Sequence, residues 1–253
     1  MKIHFFCVGR VLEQQDIGWL KEIVRLGHPV GNHTYDHVNL WASSPEQTQF
    51  RFQRSPWLIR DKTVPEILRE NIRLTSLAMK QRLEISPKGF RTPGGSSQAL
   101  DNREDLQQLL LNEGFTWVSS KYPRHQNNSL GERPTQKVFQ SIVDSQAEAQ
   151  PYYYPTGLLE IPMSPISDVG AFRTGRWTLK EFLHSITLCL ETSRDRGTVF
   201  DLLCHPSIMY VEDPEFQTIK HVCEFVKQHN RRMQIVDLDE IAQSTPSLST
   251  QKQ

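Results

Sequence analysis

The sequence predicts a parallel α/β protein, either an open doubly wound sheet or a barrel. Two observations point there. Short β-rich runs alternate with longer stretches of helical period, and 253 residues with 37% hydrophobic content are enough for one substantial core. The strand candidates, in order, are residues 3–8, 28–31, 88–91, 115–119, 158–161, 198–205 and 233–236. The second is the weakest by composition.

Between these runs the helices are marked by their caps. Thr63 with Glu66, Asp101 with Glu104 and Thr178 with Glu181 each place a capping side chain three residues before an acid. Gly114 and Gly197 suit helix ends. The helix over 64–83 is expected to bury Val64, Ile67, Leu68, Leu74, Leu77 and Met79. The one over 214–230 is expected to bury Phe216, Ile219, Val222, Cys223 and Val226. Two long irregular stretches remain, 41–62 and 121–137, the first interleaving Arg51 and Arg54 with Phe50, Phe52 and Trp57.

Composition excludes several classes. Lys+Arg and Asp+Glu both count 29, which removes the basic field that non-specific nucleic-acid or membrane-surface binding needs. No nucleic-acid partner is expected. The four cysteines (Cys7, Cys189, Cys204, Cys223) lack CxxC spacing and read as buried free thiols. No apolar stretch approaches the roughly 20 residues of a membrane helix, so no membrane segment is expected and the chain as written reads as cytoplasmic.

Three segments could carry chemistry. In Gly31-Asn32-His33-Thr34-Tyr35-Asp36-His37, two imidazoles at i and i+4 directly follow a strand and can converge on one cation such as Zn, Fe, Co or Ni. The alternative is a hydrogen-bonded pair of loop histidines. In Gly89-Phe90-Arg91-Thr92-Pro93-Gly94-Gly95, a strand ends on an arginine placed to meet a carboxylate at the mouth of an α/β site; the alternative is a plain turn with a solvated Arg. In Phe200-Asp201-Leu202-Leu203-Cys204-His205-Pro206, period-2 alternation sends Asp201, Leu203 and His205 to one face and sets His205 at the rim. There it is a reactive or a structural histidine.

These segments in this order resemble the polysaccharide deacetylase family, the NodB-homology domain of carbohydrate esterase family 4 type. The resemblance starts at Phe5-Phe6-Cys7-Val8-Gly9, passes through His33-Thr34-Tyr35-Asp36-His37 and Arg91-Thr92-Pro93-Gly94, and continues to about Ala242. It implies a distorted (β/α) barrel of about six or seven strands over residues 1–243, with 244–253 as a polar tail. It also implies metal-dependent hydrolysis of N-acetyl groups on a polysaccharide or oligosaccharide, a linear C–N bond outside peptides. Carried over, His33 and His37 become ligands of a divalent metal, zinc with cobalt or nickel as alternatives. Arg91 orients the catalytic base, Leu203 walls the acetyl pocket and His205 is the general acid. Tyr35, Pro93, Gly94 and Trp117 are the further substrate-binding candidates, with Trp41, Tyr122 and Trp177 able to stack on sugar rings.

The match departs from the family at two places. The family's Asp-Asp strand, bearing the base and a third metal ligand, would lie upstream of Phe5, so that strand is expected to be missing and the site incomplete as written. The 115–120 run also lacks the acid that tunes the family's catalytic histidine. As substitutes for the pair, Asp36 is set aside by its orientation and Asp201 by its separation of about 13 Å from His205 along a strand. Asp168, in the 163–177 loop, remains open. Two other functions stay open beside the deacetylase: a non-catalytic carbohydrate-binding or interaction protein, and a metal amidohydrolase acting on a small non-sugar amide.

Overall fold

The computed structural model describes residues 1–129 and 131–246. Six strands form one sheet: β1 (Phe5–Cys7), β2 (Val30–Asn32), β3 (Gly89–Ser96), β4 (Trp117–Lys121), β5 (Tyr152–Tyr153) and β6 (Leu159–Glu160), in the order β1-β2-β3-β4-β6-β5. All neighbours run parallel except β5, which returns antiparallel to β6. The sheet is not closed.

Nine helices surround it among the described residues. They are α1 (Gly18–Arg25), α2 (Phe50–Arg54), α3 (Val64–Leu83), α4 (Glu104–Asn112), α5 (Gln136–Ser145), α6 (Leu179–Arg196), α7 (Pro206–Glu212), α8 (Gln217–Gln228) and α9 (Leu238–Ser244). None is long and apolar enough to cross a membrane. Both Thr capping boxes form, at Thr63–Glu66 and Thr178–Glu181, and Gly197 closes α6 with φ 65°. Asp101 does not cap: α4 starts two residues later, after Arg103, which instead pairs with Asp105.

Side-chain alternation in β1 divides the interior. Phe5 and Cys7 pack outward with Leu20, Val30 and Met79 under α1 and α3. His4 and Phe6 point the other way and stack, with the Trp117 indole edge-on to both. On α3 the buried face is Ile67, Leu68, Asn71, Ile72, Thr75 and Met79, whereas Leu74 and Leu77 are exposed. The apolar stripe read in the sequence was too wide because polar Asn71 and Thr75 belong to the inner face. Phe216 is exposed as well, sitting before α8 rather than inside it. All four cysteines are free, Cys7 and Cys189 buried, Cys204 and Cys223 half-buried.

Five of the seven expected strands form; 198–205 and 233–236 do not. Their backbone groups go elsewhere. The Val199 N–H donates to Gln150 and its carbonyl accepts from Gln146 and Gln150, Ser164 N–H donates to the Asp201 carbonyl, and Met233 N–H donates to His229. Of the expected tail, Ser244 ends α9 and 247–253 lie outside the described residues. The irregular stretch 41–62 is folded into short turns of helix, with α2 at its centre.

Candidate functional site

The histidine segment leaves β2 through a buried asparagine. Asn32 Nδ2 donates to Ile72 O (2.9 Å) and Ser76 Oγ (3.0 Å), while its Oδ1 accepts the Thr34 N–H (2.9 Å). The chain then takes left-handed conformations at Thr34 (φ 61°) and His37 (φ 56°), each costing about 1–2 kcal/mol for a residue with a Cβ. Such strain persists where neighbours over-determine it. Val38 N–H donates to Thr34 Oγ1 (3.1 Å), Asp36 N–H to Asn71 Oδ1 (2.9 Å), and the Asp36 carboxylate is gripped by Arg10 and Arg51.

The outcome is that the His33 and His37 rings lie 4.9 Å apart, centroid to centroid. His33 Nδ1 is 2.7 Å from the Arg91 carbonyl. A carbonyl can only accept, so Nδ1 carries the proton and the Nε2 lone pair is left for another partner. Burial, reinforced by the charges of His37, Arg91 and His205, pushes the His33 pKa down to about 3, and burial lowers that of His37. Neutral imidazole is the form that binds metal.

Arg91, on β3, is buried. Its Nη2 donates to Ser119 Oγ (2.9 Å) and Asp201 Oδ2 (2.6 Å), and its guanidinium lies 4.4 Å from the centre of the Phe6 ring. Asp201 was set aside in the sequence for its distance from His205. Instead it supplies the carboxylate for Arg91, on which burial raises the pKa against the pull of the guanidinium.

His205 sits just before α7, with Pro206 as the first helical residue. Its Nδ1 is 2.9 Å from Asp168 Oδ1 and its backbone N–H donates to Asp168 Oδ2. Asp168 is fully buried and also accepts the Val169 N–H (2.8 Å) at the entrance to a π-helical stretch, Val169–Thr174. Three donors on a buried carboxylate fix the tautomer. Nδ1–H faces Asp168, and Nε2 is free on a side chain 44% exposed. The sequence alone offers Asp168 as a substitute for the family's Asp-Asp pair and offers no partner for His205.

These groups share a cavity of about 1360 Å³ whose wall includes His33, His37, Arg91, Asp201, Leu203, His205, Gly94 and Tyr122. Other sugar-contact candidates lie elsewhere. Trp117 is 1% exposed, its indole N–H spent on Asp239 (2.8 Å). Tyr35 donates to Glu13 (2.7 Å) under the Arg10 guanidinium, outside the cavity wall, and Pro93 is buried. Trp41 packs on the main core and Trp177, buried, donates to Asn128.

For a metal, His33 and His37 offer two adjoining imidazoles, at least one with its tautomer set. A third protein ligand does not join them: among the described residues, only His4, Asp237 and Asp239 bring three ligand atoms within 4.8 Å of one another. In a metal site built on the histidine pair the remaining positions would fall to water and substrate.

Residues 1–68, which contain the whole histidine segment, match the family model described as polysaccharide deacetylase. Similar solved structures include a putative polysaccharide deacetylase from Mycobacterium smegmatis, 18% identical with TM-score 0.64 over 98% of this chain and 72% of that one. A probable polysaccharide deacetylase from Pseudomonas aeruginosa PAO1 is 13% identical with TM-score 0.62, over 96% and 67%. Puue Allantoinase is 14% identical with TM-score 0.62, again over 96% and 67%. No curated protein sequence matches the chain. The resemblance read in the sequence holds: the fold is the α/β fold of the NodB-type deacetylases, and the family model covers the segment that carries both imidazoles.

Proposed function

We propose that this chain is a polysaccharide deacetylase-type hydrolase that removes N-acetyl groups from a glycan or oligosaccharide. One observation carries the reading: buried Asp168 fixes His205 through both its ring and its backbone, on the wall of the cavity that His33 and His37 also line.

His33 and His37 would hold a divalent cation, zinc before cobalt or nickel, which supplies Lewis-acid polarisation of the amide carbonyl when bound. His205, its Nδ1–H held by Asp168, has Nε2 free to take up a proton, and the resulting imidazolium, paired with the Asp168 carboxylate, delivers that proton to the departing sugar amine and returns to the neutral Nδ1–H form. Arg91 orients Asp201, whose burial-raised carboxyl suits it to take a proton from water. Leu203 and Gly94 shape the wall around the acetyl group.

The experiment is release of acetate from N-acetylglucosamine oligomers with added zinc, cobalt or nickel. His33→Ala or His37→Ala should abolish metal binding in the cavity, whereas His205→Ala should keep the metal and lose turnover. Unchanged turnover in His205→Ala removes that residue from the mechanism. Glycan binding without acetate release by the parent protein would instead identify a non-catalytic carbohydrate-binding chain.

A second reading, an amidohydrolase acting on a small non-sugar amide, is favoured by the equal fold similarity to Puue Allantoinase. A panel of small amides assayed beside the oligomers separates the two.

A further inference from the structure

The strands run parallel, so the groups that follow β2 and precede α7 lie toward one end of the sheet, while His4, before β1, and Trp117, at the start of β4, lie at the other; the cavity reaches both, since its wall also includes His4 and Asp237. At that second end α9 docks through Leu238 and Ile241 onto Trp117 and Phe6. Its first turn brings Asp237 and Asp239 to His4.

Each of the three is held in place and has an atom left over. Asp239 Oδ1 accepts the Trp117 indole N–H at 2.8 Å, and Asp237 Oδ1 accepts the Glu240 N–H at 3.0 Å as the α9 cap. His4 is clamped by stacking on Phe6, 4.8 Å between centroids, and by the Trp117 edge at 5.2 Å, and its Nδ1 is buried without a hydrogen-bond partner. Neither carboxylate has a Lys or Arg within ion-pair reach among the described residues.

A buried imidazole nitrogen without a partner is costly in a folded chain, and the two half-buried carboxylates beside it carry negative charge with no Lys or Arg among the described residues to balance it. A divalent cation answers both. We propose that His4, Asp237 and Asp239 form a second divalent-cation site that ties β1 to α9, separate from the His33–His37 pair. Their ligand atoms lie within 4.8 Å of one another. Four-coordinate zinc places donors about 3.4 Å apart, so an inward side-chain movement of about an ångström closes the site, with water in the fourth position. One nitrogen and two carboxylate oxygens, with no thiolate, suit zinc or cobalt. The Trp117–Asp239 and Asp237–Glu240 bonds are the outer contacts that orient such ligands.

The test uses the full chain carrying His33→Ala and His37→Ala, so that the fate of the cavity pair has no bearing on it. After chelator dialysis, titration calorimetry with zinc should find one site per chain. Zinc should also raise the melting temperature, reversibly on adding EDTA. Adding Asp237→Asn and Asp239→Asn should weaken zinc binding at least about tenfold with an unchanged metal-free melting temperature, because Asn still caps α9 and still accepts from Trp117. No zinc binding and no thermal shift in the His33→Ala/His37→Ala background overturns the proposal. So does a double-Asn variant that binds zinc as tightly as that background.

Discussion

Asp168 holds His205 at two points, ring Nδ1 and backbone N–H, so the imidazole's position and its tautomer are set by a single buried carboxylate. An amide cannot do both. In Asp168→Asn the side-chain oxygen can replace only one acceptor, and the NH₂ group is turned toward a donor. Turnover should fall about 10²–10⁴-fold, the range attributed to a positioned acid or base. Cation binding at His33 and His37 should be unchanged. Measuring kcat alongside zinc titration separates this outcome from general loss of structure, which would weaken both.

Asp36 acts on the other imidazoles at a distance. Its carboxylate takes Arg10 from one side and Arg51, on α2, from the other, between the two left-handed residues Thr34 and His37. Asp36→Asn removes the charge that both arginines grip and loosens the turn that makes the rings converge. Zinc affinity in the cavity should drop about 10–100-fold, as for other groups that orient ligands. Far-ultraviolet circular dichroism should not change. Full affinity in this variant would show that the turn holds without the clamp.

These two relationships show what could be read from the chain. The i, i+4 histidines, Arg91 and His205 before proline were legible because each depends on local spacing, although β3 runs past the expected strand end at Arg91 to Ser96. Asp168 and Asp201 were not, since the pairs His205–Asp168 and Arg91–Asp201 join residues 37 and 110 positions apart. A signal existed for Asp201: the expected alternation already grouped it with His205, and both line the cavity wall with Arg91. Measuring along an expected strand misled, because 198–205 is not a strand and the partner of Asp201 lies on β3. Trp117 looked like a strand-end sugar platform, yet it opens β4, at the end of the sheet away from His33. Strand direction, which composition does not reveal, decided that.

Close packing around Trp117 yields a third expectation. A Cβ placed on Gly89 would come within 1.9 Å of the indole Cζ2, and the ring is locked by its bond to Asp239 and by His4 and Phe6. Gly89→Ala must therefore move a buried aromatic or the β3 backbone, at a cost of about 1–3 kcal/mol or more. Urea unfolding should show a lower midpoint with an unchanged slope. A variant as stable as the parent would mean that the indole can shift freely.

Glu160 offers a test by pH. It is fully buried on β6, where Oε1 accepts the N–H groups of Ser120 and Lys121 and Oε2 faces the hydroxyls of Ser120 and Tyr154. Burial raises its pKa above the usual carboxylate range, and the hydrogen bonds offset only part of that. In the folded chain the proton is thus held at pH values where the unfolded chain has already released it. Between those two pKa values the native state binds more protons, so this group's contribution makes stability fall as pH rises and recover as pH drops. Glu160→Gln imitates the protonated form: its oxygen can accept both backbone N–H groups, and its NH₂ can donate to hydroxyls that rotate to accept. Urea midpoints measured upward from pH 4.5, the ordinary value for a glutamate, should decline more steeply for the parent than for Glu160→Gln. Parallel curves would mean that Glu160 keeps its charge in the fold, with the four donors outweighing burial.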